Sequence, residues 1–221
     1  MDLNNWIIVF DLDDTLFSEK EYFFSGISYV EEFISSTYKI PFTGEILKAY
    51  KEGVKDLWGW TCKKLGLKLE TKESFIWLYR NHIPKINLLP GIYDLIKKLN
   101  ELNAKIVILT DGRSVSQRLK INALNLDFIP IYISEEYSSN KPEKERFLKI
   151  QNRWKGYKFA YVGDNASKDF LAPKDLNWLS IGADWCKEKI HNDLDNSKSV
   201  EPNIWINEPM KIIKILNKHI V

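Results

Sequence analysis

The chain has 221 residues, 44% of them apolar and 28% charged. That balance suits one sizeable core with a smaller appended lobe and excludes the disordered and fibrous classes. A formal net charge of +2 is too small to mark a protein that works on nucleic acid or an anionic membrane surface.

The first residues, Met1 to Asn5, carry no basic patch, and the apolar run after them is too short for a signal peptide. No segment approaches the ~20 apolar residues a membrane span needs. Cys62 and Cys186 stand far apart and outside any CxxC pattern, so both are expected reduced and structural. A cytoplasmic enzyme, monomeric or homodimeric, is the expectation.

In chain order, the first strand is Trp6 to Phe10, an apolar run without alternation. Runs of this kind suit strands buried on both faces of a parallel sheet. Helical patterning alone follows, over Tyr22 to Tyr38, Glu45 to Leu65 and Lys72 to Asn81, punctuated by Pro41, Gly53, Gly66 and Pro84. This block, 17–86, reads as a separate helical lobe inserted after the first strand. From Leu89-Pro90-Gly91 the strand–helix rhythm resumes, and 1–16 with 87–221 forms the core.

Ile92, Leu95, Ile96 and Leu99 make a helical stripe, and Val115, Leu119 and Ile121 to Leu124 a poorer one. Strands are predicted at Lys105 to Leu109, Phe128 to Ile133, Phe159 to Val162, Trp178 to Ile181 and, weakly, Asn203 to Ile206. Pro142 suits the first turn of a helix carrying Phe147, Leu148 and Ile150, and a last helix spans about Glu208 to Lys218. Alternation of this kind predicts an α/β fold with a doubly wound, Rossmann-like parallel sheet.

Ligands of such sheets bind beyond the carboxyl ends of the strands. Four strand ends carry chemistry here: Asp11-Leu12-Asp13-Asp14-Thr15, Thr110-Asp111-Gly112-Arg113-Ser114, Lys141-Pro142 after a polar loop, and Gly163-Asp164 with Asp169. Asp11 and Asp13 are alternate residues of an extended segment and point to the same side. Their repulsion asks for a cation or a shared proton. With Asp164 they offer oxygen-only ligation suited to magnesium, which would offset phosphoryl charge. The Thr110 hydroxyl can donate to a phosphoryl oxygen or cap the next helix, as can Ser114. Gly112 permits close backbone approach, and Lys141 can clamp a nucleophile and a phosphate as a point charge. Asp14 is assigned to the turn. Arg113 and the lobe residues Trp58, Trp60, Trp77 and His82 divide between substrate contact and plain packing.

These four segments, in this order, resemble the motifs of the haloacid dehalogenase-like hydrolase superfamily: DxDxT, a strand-end threonine, a lysine before proline, and GDxxxxD. The helical insert resembles that family's cap. The resemblance implies a phosphatase acting on a small phosphorylated metabolite, of the sugar phosphate or nucleotide class. Asp11 would be the nucleophile and form an aspartyl-phosphate, and Asp13 the general acid and base. Thr110, Asp111, Gly112 and Lys141 would bind the phosphoryl group. Mg2+ would be held by Asp11, the backbone carbonyl of Asp13 and Asp164, with Asp169 acting through water or neighbouring groups. Dehalogenases of the superfamily lack an acid at the position of Asp13, so that activity is set aside. A phosphomutase using the same intermediate and a non-catalytic binding module on the same fold are the competing readings.

Overall fold

The computed structural model describes residues 2–189 and 199–219. The chain divides into two compact units, Met1–Glu19 with Asn87–Val221, and Lys20–Ile86.

The first unit is built on six parallel strands. They are β1 (Trp6–Phe10), β2 (Lys105–Thr110), β3 (Ile131–Ile133), β4 (Lys158–Gly163), β5 (Leu179–Ala183) and β6 (Ile204–Ile206), in the order β3-β2-β1-β4-β5-β6. All five residues of β1 are buried, as a central strand covered on both faces requires. It pairs with β2 at Ile8–Ile106 and with β4 at Ile8–Ala160. The chain runs outward to β2 and β3 on one side of β1, then to β4, β5 and β6 on the other. The order therefore reverses beside β1, and this switch point opens a crevice at the carboxyl ends of β1 and β4.

The helices of this unit are α5 (Ile92–Glu101), α6 (Ser114–Ala123), α7 (Ser134–Tyr137), α8 (Glu145–Arg153), α9 (Leu171–Asp175) and α10 (Lys211–Lys218). On α5 the buried residues are Ile92, Leu95, Ile96 and Leu99, the stripe read from the sequence. On α6 they are Ser116, Gln117, Lys120 and Ile121, while Val115 lies exposed. Of the stripe read from the sequence, Ile121 and Leu124 are buried and Val115 is not, and the buried face also takes in polar groups. The predicted strand at 128–133 begins only at Ile131, and Phe128 is exposed. The helix after Pro142 starts at Glu145, past a cis Lys141–Pro142 peptide. Residues 17–19 group with the sheet rather than with the helical insert, because Phe17 is fully buried and bridges Asp13 and Leu88.

The second unit holds α1 (Glu19–Tyr38) from Lys20 onward, α2 (Glu45–Lys51), α3 (Leu57–Lys64), a 3-10 turn at Leu69–Thr71 and α4 (Lys72–Asn81). The single helix predicted over 45–65 is two, because Gly53 takes a left-handed φ of 85° and Asp56 caps a new start. Its own core includes Ile27, Val30, Ile34, Ile46 and Phe75. Gly44 offers α2 no capping side chain. The buried Glu31 does so from α1, accepting from the amides of Gly44 (2.7 Å), Ile46 (2.6 Å) and Leu47 (3.2 Å). His82 is buried, its ring nitrogens on Tyr79 O and Ser25 Oγ, whereas Trp77 is exposed.

Among the described residues no helix is long and apolar enough to cross a membrane.

Candidate active site

Asp11 is the first residue beyond β1, and its N–H donates to Val162 O at 2.8 Å. This bond extends the β1–β4 ladder by one step and delivers the side chain into the crevice. The Asp11 carboxylate lies 2.9 Å from Lys141 Nζ. Burial pushes the Asp11 carboxyl well above the usual range; Lys141 opposes this, and Asp169 and Asp164 reinforce it. After Asp11 the backbone turns sharply, with Asp14 at φ 51°. The Asp14 carboxylate closes that turn by accepting from Glu19 N at 2.8 Å and Cys186 Sγ at 3.3 Å.

Asp13 follows a bend at Leu12. Its two oxygens meet Lys120 Nζ at 2.7 Å and Gln117 Nε2 at 2.9 Å. The acidic cluster suited to a metal ion is therefore Asp11, Asp164 and Asp169, with one oxygen from each within 4.8 Å of the others. The Asp13 carboxylate is not among them.

Lys141 is the hub. Its ammonium also meets Asp169 Oδ1 at 2.7 Å and Tyr161 Oη at 3.2 Å, and its side chain is 3% exposed. Burial works to lower its pKa, but Asp11 and Asp169 outweigh it and hold the amine well above its ordinary value. Asp169 accepts in turn from Tyr161 Oη at 3.0 Å and Asn165 N at 2.9 Å. This carboxylate fills the space where a side chain on Gly163 would lie: a Cβ there would sit 2.4 Å from Asp169 Oδ2 and 2.9 Å from the Tyr161 ring. Gly163→Ala is expected to lower unfolding free energy by about 1–3 kcal/mol and to cut activity by displacing Asp169 from Lys141. Urea denaturation and steady-state rates on one preparation check both; an alanine variant matching wild type in each would contradict the packing argument.

At the end of β2, Thr110 Oγ1 accepts from Gln117 Nε2 at 2.7 Å. The Asp111 side chain turns to the fully buried Arg146 and accepts from Lys141 N at 3.1 Å, so any phosphate contact from Asp111 falls to its backbone. Gly112 has φ 137°, a conformation side-chain-bearing residues rarely adopt, and its N–H donates to Ser134 Oγ at 2.9 Å. The cap expected from Ser114 is not made: its N–H donates to Glu135 and its hydroxyl to Glu136. Arg113 is exposed at the N-cap of α6.

A family model described as haloacid dehalogenase-like hydrolase matches residues 7–177. The chain belongs to the haloacid dehalogenase-like hydrolases. A curated relative, the glyceraldehyde 3-phosphate phosphatase of Methanocaldococcus jannaschii, is 29% identical over 189 residues, covering 79% of this chain and 82% of the relative. The protein of that name from Pyrococcus furiosus is 24% identical over 226 residues, covering 96% and 93%. Among solved structures, the HAD-hydrolase YfnB of Bacillus subtilis, bound to magnesium, is similar at a TM-score of 0.65 and 18% identity over 96% of this chain and 98% of that one. A HAD phosphatase from Thermococcus onnurineus has a TM-score of 0.59 at 21% identity over 95% and 97%. At such identities the structural likeness speaks for the fold alone.

In this haloacid dehalogenase-like hydrolase, four polar residues at the site escaped sequence reading. Gln117 and Lys120 are polar residues on the buried face of α6, beside Ile121 and Leu124, and read as exposed helix positions in sequence. Tyr161 reads as core within an apolar strand. Lys189 meets Asp164 Oδ2 at 2.7 Å. Burial, reinforced by Asp169 and opposed by Lys189, pushes Asp164 up to about 6. Trp185 and Cys186, just after β5, latch the first-motif loop: Trp185 Nε1 donates to Thr15 O at 2.9 Å, beside the Cys186–Asp14 contact.

Proposed function

We propose that this hydrolase is a magnesium-dependent phosphatase for a small phosphorylated metabolite, working through a phosphoryl group held covalently on Asp11. The observation that supports it most is Asp11 itself: a buried carboxylate at the switch-point crevice, 2.9 Å from an ammonium and clustered with Asp164 and Asp169.

In this reading an Asp11 oxygen attacks phosphorus and the bond to the substrate oxygen breaks. Asp13 gives that oxygen a proton, and Lys141 offsets charge on the phosphoryl group. Asp13 then takes a proton from water as the water attacks the Asp11 phosphoryl. Inorganic phosphate leaves and the carboxylate is restored. Thr110 and the Gly112 backbone flank the phosphoryl position. An oxygen-only donor set suits a hard divalent cation: the Asp11 and Asp164 carboxylates and the Asp13 carbonyl would be its ligands. When bound, magnesium would supply charge for the phosphoryl oxygens. Asp169 stays committed to Lys141 and the Asn165 amide. Glyceraldehyde 3-phosphate is the first substrate to try, because the curated relatives carry that name.

Chelation with EDTA is expected to lower phosphate release from p-nitrophenyl phosphate and glyceraldehyde 3-phosphate by at least about 100-fold, and added magnesium to restore it. Magnesium should also raise the melting temperature, by the equivalent of about 2.7 kcal/mol at a hundred times its Kd. Unchanged rates and melting in metal-free buffer would rule out the ion.

A further inference from the structure

We propose that Lys120 is a positioning residue for the reaction: with Gln117 it holds the Asp13 carboxylate at the place from which it serves the substrate oxygen. The inference rests on the reading of Asp13 as proton donor.

Each Asp13 oxygen has its own partner, Lys120 Nζ at 2.7 Å and Gln117 Nε2 at 2.9 Å. Two donors on different side chains fix both torsions of the carboxylate, where one would leave it free to swing. Gln117 and Lys120 are one helical turn apart on α6 and face the same way. The Gln117 amide nitrogen also reaches Thr110 Oγ1 at 2.7 Å and Asp111 O at 2.8 Å. One side chain thereby ties the acid after β1 to the hydroxyl after β2.

The burial is what marks this arrangement. The Lys120 side chain is 7% exposed, and its ammonium lies 5.6 Å from the centre of the Phe17 ring. A buried lysine–carboxylate pair contributes little net stability, since desolvation offsets the attraction, and an apolar pair of like volume serves packing as well or better. The helix buries Gln117 and Lys120 on the face that carries the buried Ile121 and Leu124. An apolar residue at position 120 would serve that packing at least as well. The charge at Lys120 is instead accounted for by the carboxylate it meets, and a correctly aimed acid repays its cost in rate rather than stability.

The test separates positioning from plain structure by leaving group. p-Nitrophenolate departs without a proton, whereas the alkoxide of glyceraldehyde 3-phosphate needs one. Lys120→Met is expected to lower kcat/KM for glyceraldehyde 3-phosphate by about 10–100-fold, part of the 10²–10⁴ a proton donor supplies. For p-nitrophenyl phosphate the fall should stay within about threefold. In an Asp13→Asn background the same substitution should cost nothing further, because Lys120 acts through Asp13. Lys120→Arg, which keeps the charge and a donor, should recover part of the loss. Lys120→Gln serves in the same comparison if the methionine variant melts too low to assay. Equal losses on both substrates, or a full loss persisting beside Asp13→Asn, would overturn the proposal. A disabled Asp13→Asn next to an unimpaired Lys120→Met would sink this inference alone. A wild-type-like Asp13→Asn would sink the reading of Asp13, and the inference with it.

Discussion

Asp11→Asn is expected to abolish turnover while leaving the protein folded and at least as stable as wild type. An amide oxygen is a poor nucleophile and cannot regenerate a carboxylate, so the loss should reach at least about 10⁴-fold. The stability half follows from electrostatics. Burial, with Asp169 and Asp164 adding to it against Lys141, raises the Asp11 carboxyl well above its usual range. A folded-state pKa above the unfolded value means the ionised form is disfavoured in the native state at neutral pH. A neutral amide of the same shape removes that penalty, while Lys141 keeps Asp169 at 2.7 Å. Phosphate release and a thermal melt on the same preparation check the two halves. Appreciable turnover, or a large drop in melting temperature, would contradict the assignment.

Lys141→Met is the second large effect and has the opposite signature, losing both activity and stability. The methionine keeps most of the stem but leaves Asp11 and Asp169 facing one another without their shared cation, beside Tyr161. Breaking a buried pair by removing one partner costs about 3–5 kcal/mol, because the remaining charge stays buried and uncompensated. That is a large share of the ~5–15 kcal/mol that holds an ordinary domain together. Urea denaturation should show the midpoint falling with little change in slope, and kcat/KM should drop by at least about 100-fold. The contrast with Asp11→Asn is informative: one variant inactivates without unfolding, the other does both. A Lys141→Met protein as stable as wild type would mean that the ammonium does not hold the two carboxylates.

The parallel strands were legible because strands buried on both faces are written as unbroken apolar runs. Once they are placed, the residues just after them fall at one edge by topology alone. Asp11, Thr110 and Asp164 were therefore found together without any knowledge of contacts. What stayed hidden depends on rotation and local backbone. The stripe Val115, Leu119 and Ile121 to Leu124 is split on α6: Ile121 and Leu124 are buried, Val115 is exposed, and Gln117 and Lys120 share the buried face and meet Asp13. Asp13, alternate with Asp11 in sequence, follows a bend at Leu12 and meets donors on α6. Gly53 splits a predicted helix by taking a left-handed φ. Pro142 fits a helix start in sequence, but α8 begins three residues later. Tyr161 and Lys189 carry no signal that periodicity or spacing could expose, and only the fold places them beside Asp169 and Asp164.

The central claim is the covalent step at Asp11. Wild-type protein quenched in acid during turnover of phosphorus-labelled substrate, then digested and mapped by mass spectrometry, should carry the label as an acyl phosphate on the peptide containing Asp11. Asp11→Asn treated the same way should carry none. Label on another residue, or turnover with no phosphoryl-protein at any quench time and phosphate formed by direct attack of water, would contradict it.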